Sequence, residues 1–291
     1  KADTHPEVIS PLAASAQRLP SAQGYPLVQG LFQREEWLND PYIPQQIWWA
    51  LESQIRRQPE GILNLLETAE QWQHGLLRET LLSRISRRLM AEQKEDSLSI
   101  CAKLLIRAPD KDAVSALLQG MELALQGSRL DVLPPELDQA LQTVTSRFGS
   151  DSAWIGFGLR IGSQSAFDSA RQIIAKPQYP GELRTAMINR LSELRDNQTV
   201  SVLLHLIEEE TLAETLKLAA MNGLRRFDED SIGDVLLEQL PMLNGNLLQT
   251  AQSVLAGRTE WATRLLMAVD QGKVSRESIP FDILITLQQR P

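Results

Sequence analysis

Apolar residues recur along the chain at three- and four-residue intervals, in short runs that break at Pro, Gly, Asp and Asn. No stretch alternates polar with apolar as a half-buried strand would, so the pattern predicts helices only. The first is expected over 6–19, ending before Pro20, the second over 25–33 and the third over 43–58. The longest, 75–93, carries Leu77, Leu81, Ile85 and Leu89 as one inward stripe, with Arg78, Arg84, Arg87 and Arg88 on its other side. Further helices are expected over 97–106, 112–126 and 135–148. The connection 127–135, with two prolines at its end, is a place where the stack can bend.

After Gly149-Ser150-Asp151-Ser152 the pattern becomes regular, with helix pairs at 152–161 and 166–175, 182–194 and 200–208, and 213–227 and 232–240. Helices at 247–255 and 261–269 follow. The segment Leu183 to Ile207 superposes on Leu216 to Leu240 at an offset of 33, matching Ala186, Met187, Leu191 and Leu194 to Ala219, Ala220, Leu224 and Phe227. Val202-Leu203-Leu204 meets Val235-Leu236-Leu237, and Asn189 meets Asn222. Leu224 recurs as Leu255 at 31, and Leu236-Leu237 as Leu265-Leu266 at 29. Helix–turn–helix repeats of this length mark an α-solenoid, in which each unit buries its apolar face against its neighbours. The expectation is therefore an all-α superhelix forming one domain over 1–291. Its helices are less regular over 1–149, its repeats clearer over 150–270, and 271–291 reads as a cap or linker. Leu191 and Leu224 fall between repeats and Glu193 on the exposed side. Asp and Asn residues at 196–197, 228–230 and 244–246 stand where helix ends need capping.

Composition agrees with one helix-rich body: 43% of residues are hydrophobic, enough to line a core along the stack. A net charge of −8 argues against a nucleic-acid partner, because such proteins hold phosphates chiefly through Lys and Arg. No apolar stretch approaches the roughly 18 residues needed to cross a bilayer, so direct membrane insertion is not expected. The chain begins at Lys1 and opens mid-pattern, as a piece of something longer would.

The residue inventory offers little chemistry. The lone cysteine, Cys101, lies in a run with helical apolar spacing and reads as a small core residue. His5, His74 and His205 are scattered over 200 positions, without the converging ligands a zinc or haem site needs, so no cofactor is expected. Gly156-Phe157-Gly158 resembles a phosphate-binding loop only superficially, and close helix packing explains it better. Asn197-Gln198-Thr199 is a glycosylation sequon in a turn that needs no sugar to explain it.

The most unusual local feature is Ile47-Trp48-Trp49-Ala50-Leu51-Glu52-Ser53-Gln54-Ile55-Arg56-Arg57. Helical spacing puts Ile47, Trp48, Leu51 and Ile55 on the buried face and Trp49 with Glu52, Ser53 and Arg56 on another. The plain reading packs Trp49 against a neighbouring helix, and Arg84, Arg87 and Arg88 then form a solvated face. In the functional reading Trp49, Glu52, Arg56, Arg84, Arg87 and Arg88 form a partner surface, since Trp and Arg dominate interface energetics.

The stretch Leu38-Asn39-Asp40-Pro41-Tyr42-Ile43-Pro44-Gln45-Gln46-Ile47-Trp48-Trp49-Ala50-Leu51-Glu52 resembles the D-P-x-I-P … W-W-A-x-E segment of planctomycete-type membrane-bound dehydrogenases. Ala14 to Pro20 and Ala268 to Val274 fit flanking words of the same proteins. The resemblance implies HEAT-like repeats that space or dock an N-terminal β-propeller and a C-terminal c-type cytochrome domain, in the periplasm or cell envelope. It implies no catalytic, cofactor or metal residue here, since the chain has no Cys-x-x-Cys-His and nothing like propeller blades. The expected partners are protein domains of the same or another chain. Two rivals share the repeat type: a HEAT-fold DNA glycosylase, disfavoured by the acidic charge, and a bilin-lyase-like repeat enzyme, for which no local feature speaks.

Overall fold

The computed structural model describes residues 6–33, 38–130 and 132–279, together with residues 281, 283 and 285. Among these residues the chain forms sixteen α-helices and no strand. By contact density it divides into two compact units, Lys1–Ala166 and Phe167–Pro291.

The first unit holds α1 (Pro6–Ala16), α2 (Ser21–Phe32), α3 (Ile43–Arg57), α4 (Gly61–Leu65), α5 (Leu82–Glu92), α6 (Glu95–Arg107), α7 (Lys111–Ala124), α8 (Pro135–Phe148) and α9 (Ser152–Arg160). From α1 to α7 each packs on the helix two further along the chain. α1, α3, α5, α7 and α9 form one layer, α2, α4, α6 and α8 the other. After α10 (Gln164–Ala175) the second unit repeats the arrangement. There α11 (Gly181–Glu193), α13 (Glu214–Leu224) and α15 (Gly245–Ala256) lie side by side, facing α12 (Thr199–Glu208), α14 (Asp230–Gln239) and α16 (Thr259–Asp270). This is the packing of a helical repeat array.

The repeat register read from the sequence coincides with burial at most of its matched leucines, Leu266 being 46% exposed. Met187, Leu191, Leu203, Ala220, Leu224, Leu236, Leu255 and Leu265 are all fully buried, while the matched Asn189 and Asn222 both face solvent. Glu193 is a correction: it is partly buried and engaged in a contact, because it lies at the edge of the helix seam. Cys101 is fully buried, and burial pushes its thiol up to about 12, so it stays neutral and inert. Gly156 and Gly158 serve close packing, for a Cβ on the first would strike the Glu122 carboxylate and on the second the Cβ of Ala166.

Two elements depart from the sequence pattern. The short helix α4 was not expected, since five residues are too few to show a period. The expected helix over 75–93 is composite: Leu77–Leu81 forms a π-helical turn that runs into α5. Four-residue spacing overshoots a 3.6-residue turn by about 40°, so a long i+4 stripe drifts around an α-helix. The wider π turn absorbs part of that drift, and Leu77, Leu81, Ile85 and Leu89 are all fully buried.

Polar side chains tie helices together across one repeat. Asp110 caps α7 by accepting from the Ala113 N–H at 3.0 Å, and it also accepts both Arg78 Nη groups, at 2.8 and 3.0 Å. Asp151 caps α9 through the Trp154 N–H at 2.9 Å and takes a hydrogen bond from Ser115 on α7. Each cap is thereby fastened to the preceding segment of the same layer. Asn244 stands at a helix start without a side-chain cap, and Asp196 instead holds Arg171 and Thr199.

Gln54 on α3 is fully buried. Its Nε2 donates to the carbonyls of Ala16 and Leu19, which α1 leaves unpaired at its end, and its Oε1 accepts from Ser21. The amide occupies the space a Cβ on Gly24 would need, 2.3 Å away.

Leu191→Ala and Leu224→Ala are each expected to cost about 2–5 kcal/mol in urea unfolding, against less than about 0.5 kcal/mol for Asn222→Ala. Equal costs at the two kinds of position would contradict the assigned faces. The Arg78 hydrogen bond holds the Asp110 carboxyl below its usual range. Its stabilising contribution is therefore full above the unfolded carboxylate pKa of about 3.9 and is lost as pH falls through the lower folded value. Asp110→Ala is expected to cost about 1 kcal/mol at neutral pH, and the difference from wild type should shrink in acid. A pH-independent difference would show that the carboxylate is not the cause.

Candidate functional site

The partner surface suggested by the sequence begins with the cap of α3. Asp40 accepts from the backbone N–H groups of Tyr42 and Ile43, both at 2.8 Å, and Pro44 follows in the first turn, where its missing N–H costs nothing. This fixes where α3 starts and so which residues face inward: Ile43, Ile47, Ala50, Leu51, Gln54 and Ile55 are buried. Gln45, Trp48 and Glu52 are left, partly buried, on one line at i, i+3 and i+7.

A second line faces them from α5. Arg84, Arg87, Arg88 and Ala91 occupy its outward side, opposite the buried Leu82, Ile85, Ser86, Leu89 and Met90. Between the two lines runs a groove of about 420 Å³, lined by Gln45, Trp48, Glu52, Arg84, Arg87, Arg88 and Ala91. Arg84 donates to Gln45 Oε1 at 2.7 Å, and its guanidinium carbon lies 5.9 Å from the centre of the Trp48 ring, within cation–π range. Arg88 pairs with Glu92 at 3.1 Å, while its Nε is 3.7 Å from Glu52, too far for a hydrogen bond. That Nε is buried and has no hydrogen-bond partner. Arg87 is exposed and has no partner among the described residues. Three guanidinium groups thus meet two carboxylates beside an indole, a local positive excess on an acidic chain.

The structure brings four of the six sequence-predicted residues together: Glu52, Arg84, Arg87 and Arg88. Trp49 and Arg56 lie elsewhere. Trp49 is 50% exposed and lines no part of the groove. On its side of α3, Ser53 donates to the Gln17 carbonyl at 2.9 Å, which places that face against α1. Arg56 is exposed there, while Arg57 donates to the Leu19 carbonyl. The indole in the groove is Trp48, which the spacing had put on the buried face and which is partly buried. Gln45, which positions Arg84, was missed as well; its signal is the i, i+3 spacing to Trp48.

Other concavities differ in chemistry. One of about 560 Å³ between α8 and α9 has apolar walls from Leu141, Trp154 and Phe157, and Thr145 and Ser146 there are satisfied by their own helix. One of about 680 Å³ beside α14 and α16 contains Arg264, which Asp234 and Asp230 neutralise at 2.6 and 3.2 Å. Among the described residues no group of three or more His, Cys, Asp or Glu is placed to hold a metal ion, and no helix is long and apolar enough to cross a membrane. His74 packs on Phe32, His205 is exposed, and His5 lies outside the described residues.

A double-mutant cycle should detect the contact between the two lines. Trp48→Ala and Arg84→Ala are expected to couple by about 0.5–1 kcal/mol in unfolding experiments. Trp49→Ala and Arg84→Ala should add without coupling; the reverse result would reassign the indole. Comparison of the chain with protein-family models, with curated proteins and with solved structures finds no match in any of the three.

Proposed function

We propose that the chain is a non-catalytic helical-repeat module that docks or spaces other protein domains, within a large exported dehydrogenase-like protein carrying a β-propeller and a c-type cytochrome domain. The observation that carries the docking half is the α3–α5 groove. It joins an aromatic surface with guanidinium groups whose donors are only partly used, the side-chain types that dominate protein interfaces. The redox parent rests on the resemblance of the stretch Leu38 to Glu52 to the D-P-x-I-P … W-W-A-x-E segment of the planctomycete-type dehydrogenases.

Nothing in this role requires the module to react. Its contribution is to hold a partner at a fixed place on packed helices, and within each unit the fold fastens helices to those two further on.

The two halves are tested separately. Binding of the propeller and cytochrome domains of the parent protein, followed by titration calorimetry, is expected to weaken on the order of ten-fold with Trp48→Ala and to be unaffected by Trp49→Ala. Unchanged binding in Trp48→Ala overturns the docking role of the groove. The complete gene product is expected to carry a Cys-x-x-Cys-His motif after Pro291, and a product with neither haem motif nor propeller overturns the redox parent.

A further inference from the structure

We infer that the segment received by the α3–α5 groove is a short, extended, acidic peptide whose carboxylates alternate with small or apolar residues. This deepens the docking reading and rests on it.

Unused donor capacity sets the charge of the occupant. A guanidinium presents five N–H donors in a planar fork. Arg84 spends one on Gln45, Arg87 none among the described residues, and Arg88 pairs with Glu92, its buried Nε lying out of an occupant's reach. Carboxylates match such forks, two oxygens to two N–H groups. Arg84 is already held by Gln45 and the Trp48 ring, so it loses little freedom when it binds.

Spacing sets the pattern. Arg84 and Arg88 are four residues apart on one helix face, a rise of about 6 Å. In an extended chain, side chains on the same side repeat every two residues, about 6.6 Å. A peptide laid along the groove therefore offers every second side chain to the arginines, while the intervening ones meet Trp48 and Ala91 or point to solvent.

Charge on the rest of the molecule limits the length. Glu52 and Glu92 stand at the arginines, and the chain as a whole carries −8. A nucleic acid or other long polyanion would extend beyond the positive excess, whereas a segment of a few residues stays within about one Debye length, 10 Å, of the guanidinium groups.

The test uses fluorescence polarisation on the full chain with a labelled octapeptide of alternating glutamate and alanine. Its lysine–alanine counterpart and a single-stranded DNA oligonucleotide are the comparison probes. The glutamate peptide is expected to bind, more weakly as salt rises, and to lose on the order of ten-fold with Arg87→Glu. It should keep its affinity with Arg56→Glu on the other side of α3. Both positions are exposed, and matched thermal melts will show that the variants fold.

No binding of the glutamate peptide to wild type, or equal loss in both variants, overturns the inference. So does tighter binding of the oligonucleotide, which would point to phosphates. If Trp48→Ala disrupts domain docking while Arg87→Glu leaves peptide binding unchanged, the docking role survives and the acidic occupant fails. If peptide binding depends on Arg87 while domain docking is indifferent to Trp48→Ala, the acidic site stands and its assignment to those domains fails.

Discussion

A helix in a two-layer array has water on one side and other helices on the rest, so its apolar face must match the neighbour two places along as well as its own pair. That pairwise seam is the constraint on which everything else here depends. Leu191 and Leu224 occupy equivalent places in successive repeats of the second unit, and Leu77, Leu81, Ile85 and Leu89 serve the same purpose in the first. Because burial is settled locally, the outward positions carry no packing duty and can be given over to recognition. The groove between α3 and α5 draws on such positions, Arg87 and Ala91 among them, and adds Trp48, which packs against the core as well.

Most of this architecture was legible in the chain, because a helix seam leaves a periodic trace. The 33-residue register placed most of the buried leucines, and the two asparagines it matched share the solvent side. What failed to show had no such trace. A π turn changes the geometry of a helix without changing its composition, so Leu77–Leu81 read as ordinary helix. The α4 segment is only five residues long. Helical spacing did separate Trp48, partly buried against the core, from Trp49, which is half exposed; that the covered indole also edges a groove depends on α5 and left no local trace. Gln45 and Arg84 are 39 positions apart and meet only because α3 and α5 are neighbours in one layer.

The polar contacts have a division of labour that the apolar seam does not. Asp110 and Asp151 end a turn and fasten it to the preceding segment of the same layer, so a single carboxylate sets both where a helix begins and what it lies beside. The arginines of the groove do less for the fold. Arg84 and Arg88 have one partner or two, Arg87 none among the described residues, and the array does not need them to be stiff.

The amide of Gln54 and the bare α-carbon of Gly24 claim the same volume, so neither position is free to drift alone. A methyl group at 24 would evict the amide and strand the Ala16 carbonyl in the dry interior, since Arg57 still serves that of Leu19, while a shorter side chain at 54 would leave a void that glycine no longer justifies. Across descendants of this chain the two sites should behave as a single inherited character, exchanged together or kept together.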